Sequence, residues 1–340
     1  MVFSVFRVIG LGSVVGLFCV VIYIATGPSG PFGVTENDKA VEVAIAPTSS
    51  LSMIAKTLSQ KGILSHDYGF MLRAFLMDKA SKLQAGEYEI LPHMTMEGLI
   101  QKIASGDIIK RSVTVIEGMT VGDVVTLLNE NELLIGAVSA WPKEGMLLPA
   151  TYPYKRGDDR SEILRRMIDD MEVFLSSVWE KRSQKVRNPS YPLKTSVDVL
   201  ILASLVEKET NTVLSEQPYV AGVFLNRLKL GMKLQCDPTV IYALLKKDAS
   251  KEGPKGKLNR ALTKNDLLLD SPYNTYRYEG LPPTPICCPR KDAIKAVLSF
   301  HEHKDLYFVA DGKGGHVFSS TLEEHNRHVK KWRQSQKKNS

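Results

Sequence analysis

The sequence predicts an α+β protein carried on one N-terminal transmembrane helix. Three observations predict this. A single charge-free apolar run lies near the N-terminus, short strand–cap–helix segments recur after it, and the second half is mainly helical and closes with a β-hairpin. At 340 residues the chain has room for about two globular domains. Its 44% hydrophobic and 24% charged content excludes a wholly disordered chain. Ordinary Gly and Pro contents exclude collagen-like or low-complexity character. Four cysteines are too few to scaffold a chain of this length. One apolar run alone excludes a polytopic transporter.

Val8 to Ala25 carries no charged residue and is about long enough to cross a bilayer as a helix. Arg7 and the N-terminal amine precede it, so the positive-inside rule keeps that end in the cytoplasm. Everything after Thr26 then lies beyond the inner membrane, in the periplasm of a single-pass protein. A cleaved signal peptide is the rival, but the exit from Ala25 to Gly33 has no clear A-x-A site. The boundaries read as a short cytoplasmic end (1–7), a transmembrane helix (8–26), a linker (27–38), an α+β domain (39–150), a connecting helical region (151–195), a C-terminal domain (196–330) and a basic tail (331–340). The net charge of +7 is partly local to that tail, with Lys330, Lys331, Arg333, Lys337 and Lys338. A solvated helix end explains it, as does contact with anionic lipid or an acidic polymer. No nucleic-acid motif accompanies the charge, so no nucleic-acid partner is expected. Cys19 lies in the apolar run, and Cys236 has Cys287 or Cys288 as a conceivable partner.

From Lys39 to about Glu132 a weak repeat is visible. Val41, Val43 and Ile45 alternate as in a half-buried strand, Pro47 to Ser50 offers caps, and Leu51, Ile54, Ala55 and Leu58 share a helix face. Gly86–Ile90 reads as a second strand. Thr95 caps a helix with Leu99, Ile100 and Ile103 inward, and Gly106 ends it. Ser112 to Ile116 is a third strand, and Thr120 caps a helix with Val121, Val124, Val125 and Leu128. This is either a small α+β domain of similar units or a glycan-binding module that resembles LysM. Arg160 to Arg182 follows as a long amphipathic helix whose apolar stripe is core, and Asn188 to Pro192 breaks it.

Ser196 to Thr210 reads SVDVLILASLVEKET, apolar enough for a buried helix. On a helical wheel Leu202, Leu205 and Val206 share a face with Glu209, which follows them by seven, four and three residues. Glu207 lies off to the side. A carboxylate on a buried stripe is costly unless paired, protonated or functional. Either the stripe simply reaches solvent or an arginine at the helix end, or Glu209 is a general acid whose apolar surroundings keep its proton on at neutral pH.

More polar groups follow. Pro218 to Lys229 is a helix with Asn226 and Arg227 as polar members. Asp237 before Pro238 marks a helix start, with Asp as cap, and leaves Gln235, Thr239 and Tyr242 free for substrate. Ser271 to Pro283 is a rigid loop in which Tyr273, Asn274 and Tyr276 offer flat faces and hydrogen bonds suited to sugars. Leu306–Ala310 and His316–Ser319 flank Asp311 to Gly315 as a hairpin, and Thr321 to Glu324 starts the last helix. His301, His303, His325 and His328 lack an H-E-x-x-H or cysteine set, so no metal is expected, and nothing asks for a cofactor.

The blocks ASLVEKET, FLNRLKLGMKLQCDPTVIY, SPYNTYRYEGLPP and YFVADGKGGHVFSSTLEEHN, in that order, resemble the endolytic murein transglycosylases of the MltG/YceG-like family. The likeness runs from about Leu200 to Asn326. It implies a mainly helical YceG-like catalytic domain, a LysM-like region and a bacterial inner-membrane anchor. It implies Glu209 as the catalytic residue, adds His316, His325 and Asn326 to the substrate-binding candidates, and suggests peptidoglycan synthases as partners. Four positions depart from the family pattern. Ala150 stands for an acidic residue, Cys236 for Thr, and Thr284 and Arg290 for glycines.

The implied reaction is non-hydrolytic cleavage of the β-1,4 bond between MurNAc and GlcNAc in peptidoglycan. Glu209 protonates the glycosidic oxygen, then takes the proton of the MurNAc C6 hydroxyl as it closes a 1,6-anhydro ring. One carboxylate serves both steps because the nucleophile is inside the substrate, whereas a hydrolase ordinarily needs two. A hydrolase with Asp237 or Glu207 as base, and a non-catalytic peptidoglycan-binding scaffold, are the rivals.

Overall fold

A computed structural model describes residues 39–138, 140–210, 213–248, 254–312 and 314–338. The expected cytoplasmic end, transmembrane helix with Cys19, and linker lie outside the described residues. Among the described residues no helix is long and apolar enough to cross a membrane. The described chain divides into two compact units, one ending at Arg111 and one beginning at Ser112.

The first unit holds β1 (Val41–Ile45), α1 (Leu51–Gln60), α2 (Asp67–Leu76), β2 (Gly86–Ile90) and α3 (Met96–Ser105). β1 and β2 are antiparallel, with Val43 opposite Tyr88. The period-two alternation buries Val43, Ile45, Tyr88 and Ile90 on one face. Ser50 and Thr95 each accept a backbone N–H as N-caps, and Gly106 ends α3 at φ 70°. Ile54, Ala55, Leu58, Leu99, Ile100 and Ile103 fill the core. α2 is an element the sequence reading did not anticipate. His66 precedes it without a side-chain cap, so no start signal exists, yet Phe70 and Ala74 are fully buried. Arg111 closes the unit, donating to Glu87 at 2.9 Å and Glu42 at 2.8 Å.

The second unit contains β3 (Arg111–Thr114), which spans the boundary, then α4 (Val121–Asn129), β4 (Thr151–Tyr154), α5 (Arg160–Glu180) and the one-turn α6 (Gln184–Arg187). After them come α7 (Ser196–Glu209), α8 (Gln217–Lys229), α9 (Asp237–Asp248), α10 (Lys291–Leu298), β5 (Tyr307–Ala310), β6 (His316–Ser319) and α11 (Leu322–Lys338). β3 pairs with β4, and β5 with β6 in an antiparallel hairpin. The architecture is mixed and mainly helical, with small two-stranded sheets. The third strand–helix segment, read from sequence with the first two, belongs to this unit. Val121, Val124, Val125 and Leu128 pack with Ile163, Leu164 and Met167 of α5.

α7 is the axis of the second core. Thr195 and Asp198 form a reciprocal capping box at its start. Every residue from Val199 to Glu207 is buried, so the helix is enclosed on all sides rather than on one stripe. α10, also unanticipated from sequence, packs Ala293, Ile294 and Val297 into the same core. Cys236, Cys287 and Cys288 are buried free thiols.

Candidate active site

Glu209 stands at the last turn of α7. Part of its surface stays open, while dense packing encloses the rest. Cys236 comes from the strap between α8 and α9, and its thiol donates to Glu209 Oε1 at 3.1 Å. The strap is shaped to do this. Gln235 sits at φ 50° and donates its N–H to Thr275 O at 3.1 Å, and Cys236 N donates to Thr275 Oγ1 at 3.0 Å. Thr239 donates to Cys236 O at 2.7 Å and exchanges a hydroxyl bond with Thr275 at 2.9 Å. Burial raises the Glu209 carboxyl above its ordinary range, against the pull of the thiol. The neighbouring Asp237 charge adds to the rise, and His316 and Arg227 oppose it. Burial likewise pushes the Cys236 thiol well up, so it stays a neutral donor.

The open rim carries Gln235, Asp237 and Tyr276. Asp237 is the first helical residue of α9, and its Oδ1 accepts the Tyr276 hydroxyl at 2.5 Å. Burial and that carboxylate both hold the Tyr276 proton on. Arg227 is buried behind the rim, donating to Leu306 O and Leu234 O at 2.6 Å each, and lies 5.3 Å from the centre of the Tyr307 ring. Asn226 donates to His303 O at 2.8 Å and Asp305 O at 3.1 Å, anchoring the segment that leads into β5. His316, at the start of β6, pairs through Nδ1 with Glu216 at 2.7 Å. His325 stacks on Tyr307 at 5.2 Å, and its buried Nδ1 has no hydrogen-bond partner among the described residues. Burial lowers its proton affinity. Asn326 is exposed on α11 in a groove of about 400 Å³ with Val329, Lys330, Arg333 and Gln334. His301 and His303 pack on Tyr219 instead of gathering with the other histidines.

Several candidates hold the fold through buried contacts. Glu207, which the wheel puts off to the side, is the fully buried carboxylate. Arg290 clamps it, with Nη2 at 2.8 Å and Nε at 3.0 Å, and adds its backbone N–H at 3.0 Å. The arginine at a position where the resemblance expects glycine thus neutralises a buried charge. Thr239 and Asn274 are fully buried, and Asn274 Nδ2 donates to Leu267 O and Leu269 O at 3.0 and 2.8 Å. Tyr273 meets Thr284 Oγ1 at 2.8 Å, and Tyr242 donates to Glu144 Oε2 at 3.1 Å.

Glu144, Glu216, Thr275 and Tyr307 were not singled out from sequence. Glu144 meets Tyr242, Glu216 meets His316, Thr275 meets Thr239 and Tyr307 meets Arg227 across separations of 36 to 100 residues, beyond the reach of any local period. Glu144 is half-buried, accepts from Val121 N at 2.9 Å, and desolvation raises its carboxyl to about 7. The whole arrangement presents one partly exposed carboxyl, its proton affinity raised by burial, beside a thiol and an aspartate–tyrosine pair, with a buried guanidinium and an anchored imidazole in electrostatic reach. That is suited to protonating a leaving oxygen.

The comparisons with known proteins agree in direction. An endolytic murein transglycosylase of Bacillus subtilis is 30% identical over 330 residues, covering 87% of this chain and 86% of that protein. One of Streptococcus pneumoniae is 28% identical over 86% of this chain, which spans 58% of that longer protein. The crystal structure of a YceG-like protein from Listeria monocytogenes superposes with a TM-score of 0.53 at 27% identity, over 86% of this chain and 99% of that one. The model of the YceG-like family matches residues 43–331, and the chain belongs to that family.

Proposed function

We propose that the protein is a membrane-anchored endolytic lytic transglycosylase acting on the glycan strands of peptidoglycan. The observation that carries this is the partly exposed Glu209 carboxyl, held by Cys236 Sγ and raised in proton affinity by burial. The relatives named endolytic murein transglycosylase support the substrate class.

Glu209 protonates the β-1,4 glycosidic oxygen between MurNAc and GlcNAc. The MurNAc C6 hydroxyl attacks C1, closing a 1,6-anhydro ring, and the proton it releases restores Glu209. The nucleophile is internal, so no second carboxylate at the bond is needed. Asp237 lies on the rim but is engaged by Tyr276, which suits substrate contact better than water activation. Such cleavage trims or terminates nascent strands, and the synthases that build them are the expected partners.

Residues 8–26 are the anchor in this reading, supported by the charge-free run after Arg7, and the chain after it is periplasmic. The unit ending at Arg111, with two helices between paired strands, is read as the LysM-like glycan-binding module. Residues 196–330 are read as the catalytic domain, joined through 151–195. Full-length protein incubated with purified peptidoglycan tests the reaction. The expected result is 1,6-anhydro-MurNAc ends by mass spectrometry, lost in Glu209→Gln. Ordinary reducing ends contradict it.

A further inference from the structure

α2 carries two apolar faces. Its inner face buries Phe70 and Ala74 completely. Its outer face holds Tyr68, Leu72, Phe75 and Leu76 at helical spacing, and Tyr68 is 80%, Phe75 73% and Leu76 55% exposed. Single exposed apolar residues are common, but a surface helix ordinarily turns a polar face outward. A helix apolar all round is built for apolar surroundings on both sides. The patch extends onto α1, whose Met53 is 56% exposed and lines one groove with Tyr68, Met71 and Lys56. Charge follows the same two helices. Residues 51–82 hold Lys56, Lys61, Arg73, Lys79 and Lys82 against only Asp67 and Asp78, whereas the rest of 39–111 holds four basic against five acidic residues. Arg73 pairs with Glu97 and Lys82 with Asp78, so Lys56, Lys61 and Lys79 carry the excess.

Resting on the anchor read from residues 8–26, we propose that the α1–α2 face of the first unit docks on the bilayer that holds the anchor. Tyr68, Phe75 and Leu76 enter the headgroup layer, and Lys56, Lys61 and Lys79 meet anionic headgroups. The twelve residues 27–38 between anchor and unit span at most about 40 Å when fully extended. Docking is therefore an intramolecular step at high effective concentration. A patch this small needs that help, because one weak membrane signal alone binds reversibly and a second makes the attachment stable. Leu and Phe on one stripe, Tyr beside them and lysines around them are the composition of a helix lying in a membrane interface. A sugar chain suits the flat Tyr68 ring, but Phe75 and Leu76 in the same stripe suit hydrocarbon.

The test uses the full-length protein in lipid nanodiscs of phosphatidylethanolamine and phosphatidylglycerol, in a Cys19→Ser background. An environment-sensitive dye is placed through Ser65→Cys, in the groove, or through Glu89→Cys, on the exposed side of β2. Doxyl-labelled lipid is expected to quench the dye at 65 and not at 89. Phe75→Glu should lower the docked-to-undocked ratio about tenfold or more, the loss of one buried aromatic side chain. Phe75 is exposed, so this change leaves the core alone, and an unchanged circular dichroism melt checks that. Lys56→Gln and Lys61→Gln should each lower the ratio about fivefold, and discs of phosphatidylcholine alone should lower it further. No quenching at 65, equal quenching at both sites, or quenching indifferent to Phe75→Glu overturns the docking while leaving the anchor in place. Release of the dye by added soluble glycan strands makes glycan the occupant, and docking only in discs with two chains makes it a second copy; either overturns the proposal. A protein that does not enter the discs overturns the anchor, and this proposal with it.

Discussion

The Cys236 thiol donates to Glu209 Oε1 at 3.1 Å, so the group that holds the acid in place is the weakest donor that could stand there. A weak donor fixes the rotamer without strongly favouring the carboxylate form. Cys236→Ser puts a stronger donor on the same oxygen and favours ionised Glu209. The alkaline limb of the kcat profile should then move down by about half a pH unit, the equivalent of about 0.7 kcal/mol. Cys236→Ala removes the donor, and the limb should not move down. A pH–rate series on the three proteins checks this, and a limb that stays put in Cys236→Ser contradicts the assignment.

Arg290 and Glu207 make the same kind of statement about stability. Arg290→Ala strands a fully buried carboxylate, which costs about 3–5 kcal/mol when a buried pair is broken. For a unit of this size that corresponds to a fall of about 10 °C in Tm. Glu207→Gln in the Arg290→Ala background should recover part of the loss, because no charge is left buried. Calorimetry of the single and double variants checks both. Glycine at 290 would keep the backbone N–H bond to Glu207 and lose only the guanidinium.

Glu144 predicts a slope of stability with pH. Its folded carboxyl, raised to about 7 by burial, lies above the ordinary unfolded value of 4.5. Between those values the folded state binds more protons than the unfolded one. The stabilising contribution is therefore complete below about pH 4.5 and is lost as pH rises through about 7. Glu144→Gln keeps an oxygen for Val121 N–H and removes the titration. Urea melts at pH 5 and pH 8 should show the variant gaining on wild type at the higher pH. An equal difference at both pH values contradicts the prediction.

The legible parts of the sequence were those with local signals. Ser50, Thr95 and Thr120 cap where their side chains and following apolar residues say they should. The final hairpin and the long helix ending near Glu180 follow their periods. α2 was invisible because His66 makes no side-chain cap bond, and α10 because it is two turns long with a short apolar set. The wheel placed Glu209 among buried residues but ranked Glu207 as peripheral. It assumed one apolar face, whereas α7 is enclosed all round and its charge is met by Arg290, 83 residues away. Likewise the strap that delivers Cys236 depends on Thr275, 39 residues on. Distances of this kind leave no trace in a local pattern.

The most direct test of the central claim is digestion of purified peptidoglycan by the full-length protein in water enriched in ¹⁸O. Mass spectrometry of the released ends is compared between wild type and Glu209→Gln. An internal hydroxyl as nucleophile predicts 1,6-anhydro ends with no ¹⁸O, and no product from the variant. Reducing ends labelled with ¹⁸O, or unchanged cleavage by Glu209→Gln, would contradict it.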